Sequence, residues 1–177
     1  MSYQKQKKNN KGFTLVEILL AITLTTGLLL SLVVFAQHVN ESQVKQRSIR
    51  EVNEQGELIM AKIVYAIRSA ESITSPATSG STVSELELSY ANPSIDPIEV
   101  SVDTGILMYS EDNDPEIPLH NESISVVDFT VTNVTQTAAW DTVDVSLTLR
   151  YESTSQRYIY DYEKTWDTTV VIRNYER

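Results

Sequence analysis

One carboxylate, Glu17, stands inside an apolar run from Phe13 to Ala36 that holds no Lys, Arg, Asp or His. An ionisable side chain within a membrane-spanning segment costs several kcal/mol and marks an internal partner or an interfacial position. Two readings stay open at the level of the residues. Glu17 either lies near the membrane surface, where it snorkels or is protonated at little cost, or meets a positive group from another subunit. A free α-amino group, made by cutting the chain after Gly12, is such a group. The remaining candidates for chemistry are sparse. His38 and His120 are separated by the helix and the first strands, which argues against a two-histidine metal site or a histidine dyad. The segment Glu111-Asp-Asn-Asp-Pro-Glu116 gathers Glu111, Asp112, Asp114 and Glu116, and calcium is the metal such oxygens prefer. It lacks the glycine and the distal glutamate of an EF-hand loop, so a solvated acidic loop is the simpler reading. No metal site and no cofactor are expected, with these four acids as the one calcium candidate. No Ser-centred elbow, phosphate-binding Gly loop or H-E-x-x-H run is present, and no enzymatic activity is expected. The chain has no cysteine, which removes disulfides, thiolate metal sites and cysteine nucleophiles together.

The element that positions Glu17 is long enough to cross a bilayer. From Phe13 to Ala36 a helix rising 1.5 Å per residue measures ~36 Å, against a hydrocarbon core of ~30 Å. A basic stretch before an apolar one also describes a secretory signal peptide, which carries a small-residue cleavage site after its apolar core. Val34-Phe35-Ala36-Gln37-His38 offers no such pattern, whereas Gly12 sits ahead of the run.

These residues carry a resemblance. Lys11-Gly12-Phe13-Thr14-Leu15-Val16-Glu17, with the apolar continuation, resembles the cleavage and methylation signature of type IV prepilins and of the pseudopilins of type II secretion systems. The resemblance implies that a prepilin peptidase cuts between Gly12 and Phe13, that Phe13 becomes the N-methylated first residue, and that Glu17 is the assembly glutamate. It also implies partners: the peptidase, the membrane, and other pilin or pseudopilin subunits in a filament. Because the sequence opens at Met1, the uncut precursor is expected.

Charge and periodicity organise the remainder. The formal charge is −10, and Met1 to Gly12 hold four lysines and no acid, so the rest carries ten cations against 24 acids. Lysines ahead of a spanning helix follow the positive-inside bias, placing the leader in the cytoplasm and the C-terminal domain outside. An acidic exterior argues against nucleic-acid binding. No proline falls between Phe13 and Ser75, so the helix is expected to continue to about Ala70. Past Gln37 its apolar residues form a stripe, with Val44, Ile49, Val52, Ile59, Met60, Ile63 and Ile67 at helical spacing. Thr23, Thr25, Thr26 and Gly27 form a patch that serves either close helix packing or local bending.

After the polar loop Pro76–Thr82 the period changes to 2. Strands are predicted at Glu85–Tyr90, Ile98–Val102, Ile106–Tyr109, Ser125–Val131, Val143–Tyr151 and Tyr158–Ile172, with a hairpin at Asp103-Thr104-Gly105. The expected fold class is α+β: a long N-terminal α-helix, a membrane half plus an amphipathic half, packed on a C-terminal antiparallel β-sheet, pilin-like by the resemblance. The expected domains are a cleaved leader (1–12), a spanning or filament-core helix (13–36), its amphipathic continuation (37–73) and a β-rich head (74–177). Lack of a disulfide, Ala66-Ile-Arg-Ser-Ala70 and the closing Thr165-Trp166 to Arg173-Asn174 are similar to the J-type minor pseudopilin. Two other expectations compete with that one. They are a minor pilin of a competence or adhesion pilus and an uncleaved single-pass membrane-anchored binding module.

Overall fold

The computed structural model describes residues 12–112, 114–136, 141–152 and 161–172. The predicted leader up to Lys11, the predicted strand start at Tyr158–Tyr160, and Arg173 and Asn174 lie outside the described residues. The helix α1, Leu15–Ser69, is 55 residues long, in keeping with the absence of proline. The chain divides into two compact units, one up to Gln43 and one from Val44.

In the first unit no side chain of α1 is buried, and Leu15, Leu30 and Phe35 are 76%, 67% and 66% exposed. Past its first turn every backbone donor of a helix finds its acceptor within the helix, which is the condition for entering lipid. The hydroxyls obey the same condition. Thr23 donates to the Leu20 carbonyl at 2.9 Å, Thr25 to Ala21 at 2.8 Å, and Ser31 to Leu28 at 2.9 Å. Helical structure runs unbroken through Gly27. Among the described residues this is the helix long and apolar enough to cross a membrane.

In the second unit α1 buries Ser48, Val52, Gly56, Ile59, Met60, Ile63, Ala66 and Ile67, spaced at three and four residues as one helix face requires. This corrects the predicted stripe at its lower end, since Val44 is 42% exposed and Ile49 only half-buried. Small residues take part instead. The Ser48 hydroxyl is satisfied by the Val44 carbonyl at 3.0 Å, and Gly56 lets the indole of Trp166 lie against the helix backbone.

Among the described residues nine strands follow: β1 Ser72–Ser75, β2 Thr82–Val83, β3 Leu86–Ser89, β4 Ile98–Asp103, β5 Ile106–Glu111, β6 Ile117–Pro118, β7 Ile124–Asn133, β8 Thr142–Tyr151 and β9 Glu163–Val171. All pairings are antiparallel. The fold is α+β, with the second-unit half of the long N-terminal helix packed against antiparallel β-structure, in keeping with a pilin-like fold. The strands form two sheets instead of the single one expected, ordered β1-β3-β4-β5-β6 and β2-β7-β8-β9. The first sheet ends at β6 because Pro118 has no N–H to donate and cannot carry the ladder further. The sheets are tied where Val126 N–H donates to the Gly105 carbonyl at 2.7 Å.

The predicted hairpin is present. Asp103 pairs with Ile106 around Thr104 and Gly105, whose φ values are 48° and 80°, the left-handed pair a two-residue turn demands. In β7 a bulge between Val126 and Asp128 places Val127 outside and restores the inward direction at Phe129. The core gathers Leu86, Leu88, Val100, Leu107, Leu147, Leu149 and Ile172 with the buried helix face. His120 is buried beside it. Its Nε2 accepts the Leu107 N–H at 3.0 Å, and its Nδ1 lies 2.9 Å from the Asn121 carbonyl. These two partners fix a neutral ring with the proton on Nδ1.

Candidate assembly site at the start of the helix

Gly12, Phe13 and Thr14 precede α1 outside regular structure and are exposed. The Gly12–Phe13 bond therefore lies in backbone that a peptidase can bind without unwinding a helix. A Cβ built on Gly12 meets nothing within 4 Å, so among the described residues no packing contact requires glycine there.

Thr14 starts the helix. Its Oγ1 accepts the Glu17 N–H at 3.3 Å, and its carbonyl accepts the N–H groups of Glu17 at 3.1 Å and Ile18 at 3.2 Å, satisfying donors that a helix N-terminus leaves open. This role was not foreseen, yet Thr14-Leu15-Val16-Glu17 has the spacing of a capping box. Glu17 lies in the first helical turn, where its charge complements the helix dipole. Phe13, Glu17, Ile18, Ala21, Ile22 and Thr25 line one shallow face of the helix. Among the described residues the Glu17 carboxylate accepts no hydrogen bond and forms no ion pair.

The other candidates fall elsewhere. His38 belongs to the first unit, its Nδ1 3.8 Å from Glu41 Oε2, and His120 belongs to the second. In the acidic loop Glu111 is already engaged, its Oε1 accepting the Tyr109 hydroxyl at 2.6 Å. Asp112 has a φ of 50°, and its N–H donates to the Pro97 carbonyl at 3.0 Å. Asp114 N–H donates to the Glu111 carbonyl at 2.8 Å, while the Glu116 side chain is exposed. Among the described residues no group of three or more His, Asp or Glu is gathered as a metal ion would need.

Two tyrosines near this loop are perturbed. Burial, followed by the charges of Tyr65 and Glu111, pushes the Tyr90 phenol up to about 12. Its hydroxyl donates to the Ala66 carbonyl near the end of α1. Burial, then the hydrogen bond to Glu111, raises Tyr109 as well.

Residues 7–36 match the family model described as the prokaryotic N-terminal methylation motif. The matched stretch contains Gly12, Phe13 and Glu17 together with the whole apolar run. This chain therefore carries that motif at its N-terminus, over 30 of its 177 residues. No curated protein and no solved structure matches the chain.

Proposed function

We propose that the chain is a structural subunit, a minor pilin or pseudopilin, of a type II secretion pseudopilus or a related type IV pilus-like filament. Prepilin peptidase removes residues 1–12 on the cytoplasmic side and the new Phe13 amine is methylated. Residues 13–36 anchor the subunit in the membrane as a single pass and then enter the filament core. Residues 37–73 continue the helix, and residues 74–177 form the head outside the membrane. The acidic loop serves as plain solvated surface and the chain carries out no catalysis.

The observation that carries this reading is the match over residues 7–36. The geometry at its centre supports it. Glycine at 12 meets no packing demand among the described residues, and on this reading the demand for it comes from the peptidase that binds that segment. Glu17 is uncompensated within its own molecule among the described residues, as a side chain reserved for another copy would be. An apolar helix exposed on all sides can exchange lipid for the helices of neighbouring subunits. Paired with a neighbour's terminal amine in that apolar core, Glu17 sets register more than it adds net stability. The J-type assignment within the pseudopilins rests on the disulfide-free layout and the closing strand around Trp166, and would put the subunit near the filament tip with other minor subunits.

The test is cleavage. In cells that express a prepilin peptidase, the wild-type chain should shorten by the length of Met1–Gly12, and a Gly12→Val variant should not. Identical lengths for the two would refute the reading.

A further inference from the structure

The edges of the two sheets are not alike. Among the described residues β1, β2 and β6 offer four, two and two residues, and β6 ends at Pro118. Edges so short make poor templates for another strand. The strand β9 differs. It has nine residues and one neighbour, β8, paired in unbroken register from Arg150 opposite Glu163 to Thr142 opposite Val171. At its two ends the Tyr151 N–H donates to the Tyr162 carbonyl at 2.9 Å and the Ile172 N–H to the Asp141 carbonyl at 2.8 Å. The even-numbered residues of β9 therefore turn their backbone groups toward β8. Strand alternation turns those of Glu163, Thr165, Asp167, Thr169 and Val171 the other way. No described residue takes up these outward donors and acceptors.

The side chains indicate what would fit there. On the inner face β8 fully buries Val143, Val145, Leu147 and Leu149, whereas Trp166 and Thr168 of β9 are only half-buried. A further strand would cover them. Charged residues commonly guard a free edge, and two of those on β9 are already engaged. The Glu163 carboxylate holds Arg150 at 2.7 Å, and Lys164 Nζ donates to Asn53 Oδ1 at 2.6 Å. Asp167, in the middle of the outer face, is exposed and has no ion pair or side-chain hydrogen bond among the described residues.

We propose that β9 is a docking edge for an extended segment of a different protein. The segment adds to the sheet as an antiparallel strand, with a lysine or arginine opposite Asp167 and, on either side of it, apolar residues that cover Trp166 and Thr168. Main-chain bonds supply the pairing, and alternate side chains supply the specificity. Residues directly opposite in such a hydrogen-bonded pair stand ~5.5 Å apart, within reach of a salt bridge. A second copy of this chain cannot satisfy Asp167 through its own β9, because the outer face of that strand carries no cation. The edge belongs to the head, and the inference uses nothing of the N-terminal motif.

The full chain in detergent is titrated with fluorescent peptides of the length of β9, and anisotropy reports binding. The first peptide alternates valine with lysine and threonine. The second is identical but carries methyl groups on its lysine and threonine backbone nitrogens, the ones aimed at β9, and the third has glutamate in place of lysine. The first should bind at least about tenfold more tightly than the second, which has the same charge and apolar content. It should bind about fivefold more tightly than the third. Asp167→Lys should reverse the preference for lysine over glutamate. Thr169→Pro removes one outward N–H and no bond to β8, so it should weaken the first peptide while the thermal midpoint stays within a few degrees. If that variant melts early, Asp167→Lys decides alone. Equal binding of the first two peptides, no binding of the first, or an unchanged preference in Asp167→Lys would overturn the proposal. Leader removal plays no part in these readings, so their failure leaves the filament reading standing.

Discussion

Glu17 and Gly56 contrast a side chain without a partner among the described residues and one fitted to a neighbour inside the chain. Glu17 sits in a helix turn whose backbone is already satisfied by Thr14, and its carboxylate is left over. Replacing it with valine removes the charge without touching the Gly12–Phe13 bond. Glu17→Val should thus be processed normally and yet fail to enter filaments, which fractionation of sheared filaments would measure. Normal incorporation of that variant would remove the pairing role. Gly56 is committed within the chain. A Cβ there would lie 2.3 Å from two indole carbons of Trp166 and 2.7 Å from a third. Helix propensity alone favours Gly→Ala by up to ~1 kcal/mol, whereas overpacking a filled site costs about 1–3 kcal/mol. The steric cost should win, so Gly56→Ala should lower the thermal midpoint of the protein. A raised midpoint would show that the ring moves aside freely. His120→Phe keeps the ring and deletes the acceptor for the buried Leu107 N–H, a loss of about 1–3 kcal/mol. Denaturant unfolding should register it as a lower midpoint with an unchanged slope.

At the scale of the elements, the Tyr90 phenol ties the end of α1 to the segment after β3 through the Ala66 carbonyl, while Tyr109 bonds Glu111 within β5 with its ring under the Lys62 ammonium of α1. Both groups are neutral when protonated, and the folded chain holds their protons more tightly than the unfolded chain does. Their contribution is therefore complete below the ordinary tyrosine pKa of ~10. It is lost as pH rises from there through about 12, the value for Tyr90. Stability measured against pH should be flat on the acid side of that window and fall within it. Tyr90→Phe should make the fall shallower, and an unchanged slope would contradict the assignment.

The long helix and most strands were legible in the sequence because their signals are periodic. Leu86, Leu88, Val143, Val145 and Leu147 alternate without interruption, and the proline-free run reaches Ser75. What escaped was decided between elements. Gly56 and Ser48 join the core because they are small, which no hydrophobic pattern reports. The division into two sheets was not legible because β1, β2 and β6 have only two to four residues each, too few for any period to show. At the assembly site Gly12, Phe13 and Glu17 could be read as a motif, while the capping role of Thr14 was present in the spacing and overlooked.

For the whole molecule, the two units have opposite solvent requirements. The first presents apolar side chains all round and needs lipid or other helices, whereas the second closes its own core and leaves an acidic exterior. On the proposed reading such a chain is completed by others of its kind: the leader is removed, the Phe13 amine is freed, and the Glu17 carboxylate four residues on is left for a neighbour. The decisive measurement is the intact mass and N-terminal sequence of the chain purified from membranes of cells with active prepilin peptidase. The account predicts a polypeptide that begins at Phe13 and carries one added methyl group on its amine. A polypeptide that still begins at Met1 would contradict it.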